Sequence, residues 1–126
     1  MSKLNLTIAT GNYDRTRPIS DGRGNIEGVD PNHLFFSPEE MFYRAFRFQS
    51  FDVCELSFSS YCVGACNPDF PYTAVPVFLS RAFRHAAIFT RNDANIDKPS
   101  DLKGKTLGVT EYQLTANVWL RGILRS

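Results

Sequence analysis

The chain has 126 residues, 43% of them hydrophobic and 13% aromatic, which is enough apolar material for one compact core and too little for two. Fourteen Lys and Arg against thirteen Asp and Glu leave a net charge of +1, so the strong field of a nucleic-acid or anionic-membrane binder is excluded and a small partner is expected. No apolar run approaches the ~20 residues of a membrane-spanning helix, and polar residues interrupt the N-terminus where a secretory leader would be unbroken, so a cytoplasmic location is expected.

From Met1 onward polar and apolar residues alternate, and Leu4, Leu6 and Ile8 predict a first strand ended by the turn-prone Gly11-Asn12-Tyr13-Asp14. A polar loop carrying Arg15 and Arg17 follows, then a Gly-rich turn region over 21–28 and a short strand over 33–36. Ser37-Pro38-Glu39-Glu40 combines a capping residue, a proline at the first helical position and a Glu three residues after the cap. It predicts a helix to about Gln49, with Phe42, Ala45 and Phe46 on its apolar stripe. Residues 52–59 alternate strictly and predict a strand, with Cys54, Leu56 and Phe58 on one face and Glu55, Ser57 and Ser59 on the other. Gly64, Pro68 and Pro71 allow at most a short helix over 61–73. Residues 75–79 and 86–90 read as strand segments, 92–100 as a polar connection, 106–109 as a further strand, and 113–124 as a last helix. Strands and helices alternate, so the fold class is α/β.

Asp101-Leu102-Lys103-Gly104-Lys105, ahead of a strand and a helix, resembles the start of the second lobe of type II periplasmic-binding-protein folds. Longer stretches are more specific: Tyr13-Asp14-Arg15-Thr16-Arg17-Pro18, Glu55-Leu56-Ser57-Phe58-Ser59-Ser60-Tyr61, Asp69-Phe70-Pro71-Tyr72, Pro76-Val77-Phe78-Leu79-Ser80-Arg81 with Phe83-Arg84-His85, and Thr115 through Leu124. Together they resemble the 4,5-dihydroxyphthalate decarboxylase family, whose members have this binding-protein-like fold and are more than twice as long. The resemblance covers essentially the whole chain. It implies a first lobe over 1–100, the beginning of a second lobe over 101–126, and the decarboxylation of 4,5-dihydroxyphthalate to protocatechuate in phthalate degradation, with no organic cofactor. A non-catalytic module that binds an organic anion, as most proteins of this fold do, is the alternative.

Such a decarboxylation needs a cation on the retained carboxylate, a proton donor near the ring carbon and a less polar setting for the departing carboxylate. Ten of the fourteen cationic residues are arginine, whose planar guanidinium matches a carboxylate. Arg15 and Arg17 follow the first strand, where α/β sheets place ligands, and are candidate clamps; solvated arginines are the alternative reading. Arg81, Arg84 and His85 form the densest cationic cluster, and imidazole is the side-chain type that changes charge near neutrality, so His85 is the candidate proton donor. His33 is given no role. Ser57 and Ser59, with Ser60, can hydrogen-bond phenolic hydroxyls, and Glu55 can accept a proton from one or pair with an arginine. Thr110 and Thr115 precede the free amides of the last helix and are candidate carboxylate contacts, Thr115 more simply as a cap. Cys54, Cys62 and Cys66 raise the question of a metal, but three cysteines and two histidines lack the spacing of a structural site, so free thiols are expected and a divalent metal is unsupported. The apolar set of the last helix, Leu114, Val118, Leu120 and Ile123, leads us to expect self-association or a frayed C-terminus.

Overall fold

Three parallel strands form one sheet in the computed structural model, which describes residues 2–125. Met1, where the predicted alternation begins, and Ser126 lie outside the described residues. The strands are β1 (Leu4–Thr10), β2 (Val29–Phe35) and β3 (Val53–Cys54), in the order β2-β1-β3. β1 pairs with β2 along its whole length, from Leu4 opposite Val29 to Thr10 opposite Phe35, but with β3 only at Val53 and Cys54. β2 is longer than expected and includes Pro31, which an edge strand tolerates because the lost N–H can face away from the ladder.

Helix α1 (Arg17–Ser20) is a single turn inside the expected loop, with Pro18 in its first turn. Helix α2 (Pro38–Phe48) starts as its sequence predicts: the Ser37 hydroxyl accepts the Glu40 N–H at 3.3 Å, and Glu39 and Glu40 sit against the positive end of the helix dipole. It ends where Gln49 adopts φ 52° and donates its N–H to Ala45 O at 3.1 Å. The inward face of α2 supplies Met41 and Ala45, which close with Ala9 and Phe51 into the core; Leu34, Phe36, Phe42, Cys54, Leu56 and Tyr72 pack around it. Met41 is fully enclosed, and burying a side chain of that size stabilises the fold by roughly 1.5–3 kcal/mol.

The structure departs from the sequence-based expectation after Cys54. The predicted strand over 52–59 pairs for two residues only, because Ser57, at φ −61° and ψ 118°, is the N-cap of helix α3 (Phe58–Gly64). Phe58, expected on the inner face of the strand, is therefore 59% exposed. The helix sits earlier than expected, and Gly64 lets the Phe70 ring close over its end: a Cβ there would stand 2.7 Å from that ring. Residues 75–79, 86–90 and 106–109 are not strands. Among the described residues they pair with none of the three strands, and Arg84–Ala87 folds instead into a 3-10 turn. A second 3-10 turn, Pro99–Leu102, precedes the last helix, α4 (Thr115–Arg125). No described helix is long and apolar enough to cross a membrane.

Candidate functional site

With β1 between its two neighbours, the chain leaves β1 towards β2 and later returns on the opposite side as β3. The loops after β1 and β3 therefore meet at the carboxyl end of the sheet, and by its topology this crevice position is where open parallel sheets hold ligands. Gly11 and Tyr13 stand on one side of it and Glu55 on the other. The Gly11 N–H donates to Glu55 Oε2 at 3.4 Å, and the Tyr13 hydroxyl lies 3.1 Å from both carboxylate oxygens, donating to them.

Gly11 is required by that contact. Its carbonyl accepts the Tyr13 N–H at 3.0 Å, folding the chain back so tightly that a Cβ at position 11 would lie 2.5 Å from the Tyr13 ring. Burial pushes the Tyr13 phenol above its ordinary range, the Ser80 hydroxyl opposes the shift, and the Glu55 carboxylate reinforces it. The Arg15 guanidinium covers the same ring at 4.4 Å from its centroid, while its Nε donates to Leu79 O at 2.6 Å. Its contact with Asp14, at 3.3 Å, is solvent-exposed and contributes little. Glu55 thus holds the Tyr13 hydroxyl while Arg15 covers the face of the ring. Tyr13 was not among the sequence candidates; the available sign was a hydroxylated aromatic two residues after the glycine that ends a strand.

Ser57 and Ser59 meet Thr115 rather than open space. The buried Ser57 Oγ is 3.0 Å from Thr115 Oγ1, and accepts the Thr115 N–H at 3.3 Å and the Ser60 hydroxyl at 3.2 Å. Thr115 Oγ1 accepts the Ser59 N–H at 3.1 Å, and the Ser59 hydroxyl donates to the Gln113 carbonyl. These side chains join the first turns of α3 and α4. Thr110 is exposed and accepts from Asn117 Nδ2 at 3.3 Å.

Arg17 opens α1 on the surface. In the cationic segment, Arg81 covers the Phe78 ring at 5.2 Å, Arg84 begins the first 3-10 turn, and His85 stacks on Phe83 with centroids 4.7 Å apart. None of their contacts among the described residues reaches Glu55, although the same segment touches the crevice just upstream, through Leu79 O and Ser80. Cys54 is half-buried and its thiol is pushed up to about 11 by burial, whereas Cys62 and Cys66 are exposed on α3 and just beyond it. Among the described residues no three His, Cys, Asp or Glu side chains converge as a metal site would require.

The fold is thus α/β, with a parallel sheet whose carboxyl end brings together a carboxylate, a phenol and a guanidinium. No protein-family model matches the chain. It is 59% identical over 124 residues to a 4,5-dihydroxyphthalate decarboxylase of Comamonas testosteroni, covering 98% of this chain and 38% of that protein. It is 60% identical over 121 residues to a 4,5-dihydroxyphthalate decarboxylase of Pseudomonas putida, covering 96% of this chain and 47% of that protein. The resemblance carried by the motifs is thereby borne out: the chain is a relative of the 4,5-dihydroxyphthalate decarboxylases, and spans less than half the length of those it matches.

Proposed function

We propose that the chain carries part of the substrate site for decarboxylation of 4,5-dihydroxyphthalate to protocatechuate. The observation that carries this reading is the identity of about 60% with the two decarboxylases over nearly all of the chain. The order β2-β1-β3 supports a fold of the type II periplasmic-binding-protein kind, with residues 1–100 as its first lobe and 101–126 as the beginning of its second. In the substrate each hydroxyl is para to a carboxylate. Electrons pushed from that oxygen through the ring let the carboxylate-bearing carbon take a proton. Release of CO2 then returns the bond pair to the ring and restores its aromaticity.

Glu55 already accepts from a phenol, that of Tyr13, and a catechol hydroxyl offers the same donor. We assign Glu55 to that hydroxyl as proton acceptor, Arg15 and Arg17 to the retained carboxylate, and His85 to proton delivery at the ring carbon. Arg81, Arg84 and Thr110 are assigned as further anion contacts, and Ser57 and Ser59 as hydroxyl contacts that would exchange their bonds to Thr115 and Gln113 for the substrate. The partner is an aromatic carboxylate, together with a second copy of the chain against the exposed side of α4, where Trp119 is 56% exposed.

A second reading is binding of the anion without turnover, since a parallel α/β sheet of this order does not by itself imply catalysis. Incubation of the purified chain with 4,5-dihydroxyphthalate, with and without a divalent metal, followed by chromatography for protocatechuate, separates the two. We expect product above the protein-free control, and a loss of about 100-fold or more in Glu55→Gln, the scale of one acid–base group. Calorimetric binding without product supports the anion-binding reading, and neither binding nor product from the folded chain overturns both.

A further inference from the structure

Among the described residues, His33 is the side chain that combines a hydrogen bond across the sheet with a buried polar atom lacking a partner. It stands opposite Ile8 in the β1–β2 register, so Ile8, Thr10 and His33 share one face of the sheet. Ile8 and Thr10 are buried there at 7% and 4% exposure, and the edge of the Phe35 ring closes on the imidazole with centroids 4.8 Å apart. His33 Nε2 lies 3.2 Å from Thr10 Oγ1, and its Nδ1 is buried with no partner among the described residues.

The hydrogen-bond directions follow from what each atom can do. A threonine hydroxyl has one hydrogen, and that of Thr10 is spent on the Gly11 carbonyl at 2.9 Å. Towards His33 it is an acceptor, so Nε2 carries the proton. The orphaned Nδ1 is then a bare lone pair, which costs less in a buried setting than an unpaired N–H would. Burial alone acts on the ring's charge and holds its pKa below the ordinary histidine value, in keeping with a neutral imidazole. The Gly11 carbonyl receives two donors, the Thr10 hydroxyl and the Tyr13 N–H at 3.0 Å, and Tyr13 reaches Glu55 only because the chain is folded at that carbonyl.

We propose that His33 is a positioning residue for the crevice: its Nε2–H orients the Thr10 hydroxyl, which pins the Gly11 carbonyl and with it the turn that lays Tyr13 against Glu55. The proposal deepens the reading of that crevice as a ligand site and rests on it for its effect on binding, but the chain His33–Thr10–Gly11–Tyr13–Glu55 is testable without any ligand.

Nitrogen-15 NMR of the histidine side chains in the whole protein should find His33 neutral with the hydrogen on Nε2; a hydrogen on Nδ1 at neutral pH would overturn the proposal. Thr10→Val, which keeps the shape and removes the hydroxyl, should shift the Tyr13 ring resonances and the Gly11 amide, while Thr10→Ser leaves them unchanged. Unmoved Tyr13 resonances in a folded Thr10→Val protein would also overturn it. For 4,5-dihydroxyphthalate binding we expect Thr10→Val and His33→Leu to weaken affinity by about 2- to 12-fold, the scale of one hydrogen bond, and His33→Gln to recover most of the loss. If the wild-type chain binds no 4,5-dihydroxyphthalate yet the tautomer and the Thr10→Val shifts are found, the ligand assignment fails and the positioning role stands.

Discussion

Residues 8–57 contain every fully buried residue among those described, and residues 58–125 contain none, although the second stretch is rich in large apolar side chains. Val75, Val77, Phe78, Phe83 and Phe89 are between 59% and 89% exposed, while Ala9, Met41 and Ala45 are at 0%. Composition does not separate the two regions; backbone pairing does. In the first, β1 pairs with β2 along its whole length and with β3 at its carboxyl end, and so presents a continuous surface on which α2 can lay its stripe. In the second, extended segments have no ladder to join, and their apolar side chains have no common plane to converge on.

The sharpest test of that contrast is a pair of substitutions. Met41→Ala should cost about 2–5 kcal/mol, the range for emptying an enclosed core position, whereas Phe83→Ser and Phe89→Ser should each stay within about 0.5 kcal/mol. Urea denaturation of the three variants measures both, and equal losses would break the comparison. A smaller effect is expected at the seam between the regions. Ser57→Ala removes the oxygen that accepts the Thr115 N–H and faces the Thr115 hydroxyl, at a cost of about 1–3 kcal/mol for buried groups left unpaired. Hydrogen exchange should then quicken in α4 while the β1 amides keep their protection; uniform quickening would mean that one cooperative unit spans both regions.

The smallest effect concerns alkaline pH. Burial raises the Cys54 thiol from 9.0 to about 11, so above pH 9 the unfolded chain loses that proton while the folded chain holds it. Stability is intact below pH 9 and declines as pH rises towards 11. Cys54→Val should flatten that decline in melting temperatures taken across this range. At neutral pH, alkylation should label the exposed Cys62 and Cys66 well before Cys54.

The legible parts of the sequence were those in which a local motif and its tertiary setting agree. The Ser37-Pro38-Glu39-Glu40 start and the Leu4-Leu6-Ile8 alternation both became what they predict, because α2 and β1 have each other to pack on. The 52–59 alternation was ambiguous in physical terms: a period of two continues through Ser57, yet serine is also a preferred helix cap, and beyond Glu55 the backbone turns away from β1. The strands expected over 75–79 and 86–90 join none of the three strands, and pairing is a property of the assembled sheet and not of those residues alone. Of the site, Glu55 was visible on the polar face of the strand predicted over 52–59, and Arg15 in the polar loop after the first strand. Tyr13 was not, because its role depends on Gly11 folding the chain back, and neither was His33, whose partner lies on a neighbouring strand.

The bond from Arg15 Nε to the Leu79 carbonyl makes the arginine a shared resource. A neutral carbonyl is a weaker acceptor for a guanidinium than a carboxylate is, so an anion bound as proposed would compete for Arg15 on favourable terms and, on winning, would release the chain at Leu79. Occupancy of the crevice and tethering of the 75–90 segment would then oppose each other by equal amounts of free energy, each loosened by the other.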